Sequence, residues 1–280
     1  MSQSLALSTP VFELEVVATD VAFEIRVNDI PALRMPVGRV QTTFDVNPLV
    51  EDGPNTLSLT VKPRVRGKDF SEHASVRAEL RVRPTPDSDM FDRIGTLIFS
   101  GYGVDAITGF ADSTPARGGG PIDVERFGAR ATLGFQAAAP FAAWSWSTAE
   151  RLSPTEQLRA ELLAEMHRIH GHLARRDIAA LSRLCALQAA DYQRAYFLSS
   201  LEEAHRMLGI AQILSDPTLE VAPFPDSILT VELLGGGRLV QLVDAEGKSP
   251  LMLTSTESPQ MVGRFTTLLC KTDQGFQIAR

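Results

Sequence analysis

Apolar and polar residues alternate with a period of two through most of the first half of the chain. In the clearest run, Val76–Val82, every second residue is apolar and the residues between are arginine or glutamate. The same alternation occurs in Phe12–Val16, Phe23–Val27 and Leu57–Val61, and turn-forming sequences such as Glu51–Asn55 separate the runs. Alternation of this kind predicts antiparallel strands with one solvated face. Several short strands in succession indicate a β-sandwich of jelly-roll or immunoglobulin-like type.

The pattern changes to a helical period between Ser153 and Leu214. Ser153 and the residues after it have the composition of a helix start, and further starts are expected near Asp177 and Ser199. Gly171 is expected to weaken or end the first helix. The sequence therefore predicts three helices. The apolar stripe of the first consists of Leu158, Leu162, Met166, Ile169 and Leu173.

The last part of the chain returns to short apolar runs joined by glycine-bearing turns. The predicted strands are 229–234, 238–243, 251–254, 264–271 and 276–279. Helices followed by an antiparallel meander predict an α+β fold, with the helices on one face of the sheet. This order of elements resembles the cone-shaped fold of nuclear-transport-factor-like and ketosteroid-isomerase-like proteins. We therefore predict two domains: a β-sandwich at 1–148, and an α+β domain at 149–280 with helices in 153–214 and a sheet in 228–280.

Two acidic stretches in the first half are the candidate contact surface for a partner. Residues 104–126 have no periodicity, so they predict a long loop that is either a disordered excursion or a binding segment. A turn rich in aspartate precedes the run that begins at Gly95; it is either a solvated turn or an acidic edge that meets a basic partner. The candidate residues are Asp87, Asp89, Asp92, Asp105, Asp112, Asp123 and Glu125.

Charge and hydropathy exclude several classes of function. The net charge is −7, divided as about −4 in residues 1–149 and about −3 in residues 150–280, with no basic stripe. Direct nucleic-acid binding is disfavoured, because neutralisation of phosphates supplies much of that affinity. No apolar run reaches the roughly 20 residues that a bilayer span needs. Residues 1–10 lack the pattern of a secretion signal, so we expect a cytoplasmic protein that does not contact membranes.

The residues with catalytic or metal-binding chemistry form no recognised motif. His167, His170 and His172 lack the spacing of a zinc protease, and solvated histidines near a helix end are the expected reading. Cys185 and Cys270 lie in apolar runs, which favours buried, reduced thiols over nucleophiles. A polar pocket lined by Asp191, Tyr192 and Tyr196 is the one isomerase-like possibility. We predict a protein that is not an enzyme and has no cofactor or metal.

Several segments near the two ends of the chain carry a family resemblance. They are Phe23–Ile30, Phe44–Val50 and Gly53–Leu59 in the first half, and Arg238–Leu242, Pro250-Leu251 and Phe276–Arg280 in the second. The first three combine a strand ending in Asn-Asp, a later Asn-Pro-Leu-Val and a Gly-Pro-Asn turn. Together the segments resemble two-domain immunity proteins that proteobacteria encode beside toxins of the type VI secretion system.

The resemblance implies binding without catalysis. Such a protein would bind and neutralise a cognate effector in the cytoplasm of the producing cell by occluding its active site. A basic nuclease is the expected effector, since an acidic inhibitor is complementary to an enzyme that binds nucleic acid. Two alternatives stay open at the level of sequence. One is an adaptor or chaperone that loads a secreted effector, and the other is an isomerase-like enzyme that binds a small molecule in the C-terminal cone.

Overall fold

The chain forms a mixed α and β structure. The computed structural model of the 280 residues describes five stretches, residues 9–64, 70–100, 129–225, 229–257 and 261–280. Internal contacts divide the chain into two compact units, Met1–Ala142 and Ala143–Arg280, and each unit is described by itself. The predicted division into domains at 148/149 stays a prediction.

The first unit is built on one nearly closed antiparallel sheet, which confirms the strand alternation. Its strands run in the order β5-β4-β1-β3-β6, and β2 pairs with β1 outside that path. The described strands are β1 Val11–Val27, β2 Ile30–Asp45, β3 Gly53–Lys62, β4 Ser75–Arg83, β5 Asp92–Ser100 and β6 Ala129–Ala137.

A bulge in β1 divides this sheet into two halves. Asp20 has a positive φ of 54° and is the extra residue between the pairs Thr19–Arg39 and Val21–Gly38. Before the bulge, β1 pairs with β4; after it, β1 pairs with β3. The two halves approach each other again where β5 meets β6. There, a Cβ on Gly95 would lie 2.2 Å from Leu133 Cδ2, so a larger residue at this position would force the Leu133 side chain to move.

Two buried asparagines, Asn47 and Asn55, and the partly buried Asn28 connect the turns at one end of this sheet. Asn55 Oδ1 accepts hydrogen bonds from Asn28 Nδ2 at 2.6 Å and from the backbone N–H of Glu51 at 2.8 Å. Asn47 Oδ1 accepts from the backbone N–H of Phe12 at 2.6 Å. These three asparagines belong to the segments that carry the family resemblance. Their role in this structure is to satisfy turn backbone that would otherwise be buried without partners.

The described part of the second unit contains five helices where the spacing predicts three. Gly171 lies inside the first helix and does not end it. The second predicted helix is interrupted at Cys185, and the third at Gly209, whose φ of 69° ends a helix in the left-handed conformation. The helices are α1 Glu156–Ala174, α2 Ile178–Leu184, α3 Ala186–Ala195, α4 Leu201–Leu208 and α5 Ile210–Ser215.

The strands of the second unit form two small sheets instead of the single meander that the sequence predicts. One sheet has the order β11-β10-β7 and the other the order β13-β12-β9-β8. The predicted strand at 264–271 is divided between β11 and β12, and β7 lies before the predicted sheet. The strands are β7 Leu219–Val221, β8 Thr230–Leu234, β9 Leu239–Val243, β10 Met252–Ser255, β11 Met261–Arg264, β12 Leu269–Thr272 and β13 Gly275–Ile278.

The predicted apolar stripe of α1 forms the centre of the second core. All five of its residues are buried, and they pack with strand residues such as Val240, Leu242, Leu269 and Ile278. The helix begins two residues later than predicted, because Thr155 and not Ser153 accepts the capping hydrogen bond, from the backbone N–H of Leu158. Among the described helices, none is both long and apolar enough to cross a membrane.

Candidate functional site: the β4–β5 tip

Three of the seven predicted contact residues lie together on one turn. Residues 84–91 connect β4 to β5, and together with Asp92, the first residue of β5, they are called here the β4–β5 tip; Asp87, Asp89 and Asp92 are all exposed on it. No described residue forms an ion pair with any of the three. The other four candidates, Asp105, Asp112, Asp123 and Glu125, and the predicted loop at 104–126, lie outside the described residues.

Local hydrogen bonds fix the shape of the β4–β5 tip. The backbone N–H of Met90 donates to Ser88 Oγ, and the same hydroxyl donates to the carbonyl of Met90, both at 3.1 Å. The backbone N–H of Ser88 donates to the carbonyl of Thr85 at 3.2 Å, and the Arg83 guanidinium donates to the carbonyl of Pro86. The turn is therefore organised by its own residues.

Two large apolar side chains stand among the aspartates. Met90 is 76% exposed and Phe91 is 45% exposed, so Met90 has the highest exposure among the large hydrophobic side chains of the described residues. The Arg81 guanidinium lies 4.5 Å from the centroid of the Phe91 ring, in cation–π geometry. Neither Met90 nor Phe91 was predicted from the sequence as a contact residue. A Met-Phe pair inside a turn of proline, serine and aspartate was the signal that could have identified them.

Arg81 is itself held by the sheet under the tip. Its guanidinium forms ion pairs with Glu13 at 3.3 Å and Glu15 at 3.2 Å, and Arg83 pairs with Glu13 at 2.9 Å. Asp45 lies beside this cluster. Burial raises the pKa of its carboxyl, and the neighbouring Glu13 raises it further, against a smaller opposing effect of Arg83. The nearby arginines are thus already engaged by glutamates.

The residues of the isomerase-like possibility form a closed cluster in the second unit. Asp191 is fully buried, and its Oδ1 accepts from Ser145 Oγ at 2.7 Å and from Arg194. Its Oδ2 accepts from Arg280 Nη1 at 2.9 Å. The two guanidinium carbons lie 5.8 Å (Arg194) and 5.1 Å (Arg280) from the ring centroid of the buried Trp144. We call these five residues the Asp191 cluster; both oxygens of its one carboxylate accept hydrogen bonds from other members of the cluster.

The two predicted lining tyrosines contact each other. The rings of Tyr192 and Tyr196 meet edge to face, with their centroids 5.4 Å apart. A cleft of about 350 Å³ lies among other described residues of this unit; its walls are formed by α1, α5, β7 and β10, and neither tyrosine nor Asp191 lines it. Arg176, on its rim, donates to four backbone carbonyls, those of Leu214, Asp216, Pro217 and Leu219. That guanidinium closes the end of α5 and is committed to backbone.

The histidines and cysteines have structural surroundings. His170 Nε2 is 2.9 Å from the carbonyl of Ala222, His172 Nδ1 is 3.1 Å from Asp177 Oδ2, and the exposed His167 contacts the ring of Phe224 edge to face at 4.8 Å, so each of the three histidines contacts another residue. The described residues contain no group of three His, Cys, Asp or Glu that could hold a metal ion. Burial raises the pKa of the Cys185 thiol to about 12 and that of Cys270 to about 11. Thiols this reluctant to ionise are poor nucleophiles.

The β4–β5 tip is therefore a candidate surface for contact with another molecule. It combines a fixed backbone, two exposed apolar side chains and three aspartates, which suits recognition of a protein surface rather than bond-making chemistry. Comparison of the chain with protein-family models, with curated protein sequences and with solved structures finds no match.

Proposed function

We propose that this protein is an immunity protein that binds and neutralises a cognate effector of a type VI secretion system in the cytoplasm of the producing cell. The effector is a basic enzyme, with a nuclease as the leading case, and the inhibitor occludes its active site. The proposal joins the resemblance of the turn segments to one observation on the molecule. That observation is the β4–β5 tip.

Charge is the first support for this partner. Residues 84–92 contain three aspartates and no lysine or arginine, and the chain as a whole carries −7. An acidic protrusion is attracted to the positive groove of an enzyme that binds nucleic acid, and this attraction speeds encounter. The same charge would repel nucleic acid itself, which argues for a protein partner.

The Asp191 cluster supports binding over the isomerase-like alternative. A general base needs a carboxylate oxygen that can reach a substrate proton. Both oxygens of Asp191 already accept hydrogen bonds, two of the donors are arginines, and the carboxylate is inaccessible to solvent. The cluster has the properties of a structural ion pair.

The proposal includes the finer fold assignment. The nearly closed sheet of the first unit is taken as a jelly-roll or immunoglobulin-like sandwich, and the second unit as a cone-like α+β domain. The asparagine bonds at Asn28, Asn47 and Asn55 support the first assignment only in that they give the resemblance segments a common structural task.

The test is a two-step experiment with the full chain. Tagged protein is recovered from its native host at low and at high salt, and partners are identified by mass spectrometry. The candidate toxin encoded beside the gene is then expressed with and without the protein. We expect one stoichiometric partner of toxin type and restored growth. A protein that is inert toward the toxins encoded beside its gene overturns the proposal.

Charge-reversed variants test whether the tip is needed to bind and neutralise the toxin. The triple variant Asp87→Lys, Asp89→Lys, Asp92→Lys should slow association with the toxin at least about tenfold and abolish protection. The matched control reverses three other exposed carboxylates, Glu72, Glu246 and Asp273, and should protect like the wild type. Binding without loss of toxicity would instead identify an adaptor that loads its cargo.

A further inference from the structure

The apolar pair on the β4–β5 tip has a separate role from the aspartates around it. Exposure of Met90 and Phe91 to water is unfavourable, and an isolated acidic turn has no need of either side chain. Large apolar side chains within a polar rim are typical of the centre of a protein interface. The inference that follows rests on the proposed function and concerns how the partner is gripped.

The Phe91 ring and the backbone that carries Met90 are held in position. Phe91 is stacked under the Arg81 guanidinium at 4.5 Å, and Arg81 is anchored by Glu13 and Glu15 on the neighbouring strand. Met90 is held through the paired hydrogen bonds of its backbone with Ser88. Because the tip is ordered before any partner arrives, less conformational entropy is lost on binding.

The surroundings select one kind of occupant. An anionic lipid surface would be repelled by the three aspartates, and so would nucleic acid. A second copy of this chain would bring the same three negative charges against them. A protein surface with an apolar pocket bordered by lysine and arginine satisfies both the apolar pair and the carboxylates.

We infer that Met90 and Phe91 form an apolar anchor that inserts into a pocket bordered by lysine and arginine on the partner enzyme, while Asp87, Asp89 and Asp92 contact the border of that pocket. The anchor controls how long the complex lasts, and the aspartates control how fast it forms. The two roles differ because short-range burial acts on dissociation and long-range charge acts on encounter.

The experiment measures association and dissociation rates between the purified full-length chain and the toxin encoded beside its gene, at two salt concentrations. Met90→Ser combined with Phe91→Ser should raise the dissociation rate at least about tenfold and leave the salt dependence of association unchanged. Asp87→Asn, Asp89→Asn and Asp92→Asn together should slow association several-fold and flatten its salt dependence. Arg81→Lys, which keeps the charge but loses the planar stack, should raise dissociation by a smaller factor.

The matched control is Leu201→Ser combined with Met207→Ser on α4, where the two side chains are 48% and 49% exposed. It should leave both rates unchanged. If the wild type binds and the Met90 and Phe91 variant dissociates no faster, the anchor is wrong while the proposed function stands. If the α4 variant dissociates faster and the Met90 and Phe91 variant does not, the apolar contact with the partner lies on α4, and the anchor is again wrong. If the wild type does not bind the toxin, the proposed function fails and the anchor fails with it.

Discussion

Two regions of this molecule use the same residue types in opposite ways. The Asp191 cluster combines aspartate, arginine and an aromatic ring over which a guanidinium lies, and so does the β4–β5 tip together with the neighbouring Arg81. In the cluster, one carboxylate that is inaccessible to solvent is shared by two arginines and a serine. On the tip, three carboxylates have no cationic partner among the described residues, and the ring remains 45% exposed. Residue composition therefore does not distinguish a structural cluster from a candidate interface here. The difference is whether the carboxylates have cationic partners.

The largest expected effect comes from breaking the satisfied region. Asp191→Ala leaves the buried Arg280 without its counter-charge, and loss of one partner from a buried ion pair costs about 3–5 kcal/mol. Urea denaturation at neutral pH measures the free energy of unfolding. Asp273→Ala, at an exposed aspartate of the same unit, should change it by less than about 0.5 kcal/mol. A loss below about 1 kcal/mol for Asp191→Ala would mean that the cluster is not a structural centre.

The next largest effect concerns the packing of β5, the strand that follows the tip, against β6. Gly95→Ala places a Cβ 2.2 Å from Leu133 Cδ2, where β5 meets β6, and overpacking of this kind costs about 1–3 kcal/mol. Gly134→Ala is the matched control in β6, because a Cβ there meets nothing within 4 Å. Combining Gly95→Ala with Leu133→Ala should cost less than the sum of the two single changes. Additive costs in the urea experiment would show that the two strands do not meet as described.

A smaller effect concerns the buried thiols, one of which, Cys270, has a pKa influenced by Asp191. Burial raises the pKa of Cys185 from 9.0 to about 12, so the folded state keeps its proton where the unfolded state loses it. The unfolded state therefore binds fewer protons above pH 9, and stability falls as pH rises from about 8 towards 12. One such thiol removes about 1.4 kcal/mol between pH 8 and 10.

Comparison with a cysteine-free chain isolates this contribution. Cys185→Ala combined with Cys270→Ala should show a shallower fall in the free energy of unfolding over the same pH interval, because every other titrating group is common to both proteins. Equal pH slopes in the two proteins would contradict the buried, neutral thiols. Alkylation by iodoacetamide at pH 8 should likewise be confined to unfolded protein.

The parts of the fold that repeat along the chain were predictable. Period-two alternation in Val76–Val82 and the stripe from Leu158 to Leu173 each predict which apolar side chains are buried, and those side chains are buried. The polar face of Val76–Val82 was predicted less well, because Glu79 on that face is 2% exposed and pairs with Arg77 and Arg93. Features set by single residues or by distant pairing were not. The bulge at Asp20 depends on which strands lie on either side of β1, and the break at Gly209 depends on one left-handed residue within an apolar run.

The candidate site divides in the same way. An acidic turn at Asp87–Asp92 can be predicted from composition, because aspartate, proline and serine favour turns. The stacking of Arg81 on Phe91 is not, since it needs the register of β4 against β1 that places Glu13 and Glu15 beside Arg81. Asp191 illustrates the stronger limit: its partners Ser145 and Arg280 are 46 and 89 residues away along the chain.

The smallest expected effect is the one that defines the tip. Met90→Ser combined with Phe91→Ser removes two exposed apolar side chains, whose loss from a folded surface should change the free energy of unfolding by no more than about 0.5 kcal/mol. Phe91 contributes a cation–π contact with Arg81, but exposed contacts of that kind are worth only about 0.5–1 kcal/mol, and removing apolar surface from water offsets part of the loss. Urea denaturation of this variant beside Asp191→Ala therefore completes the comparison. If the loss of both side chains leaves stability unchanged, the fold does not need Met90 and Phe91, and they are available to a partner. A destabilisation above about 2 kcal/mol would instead assign Met90 and Phe91 to the fold.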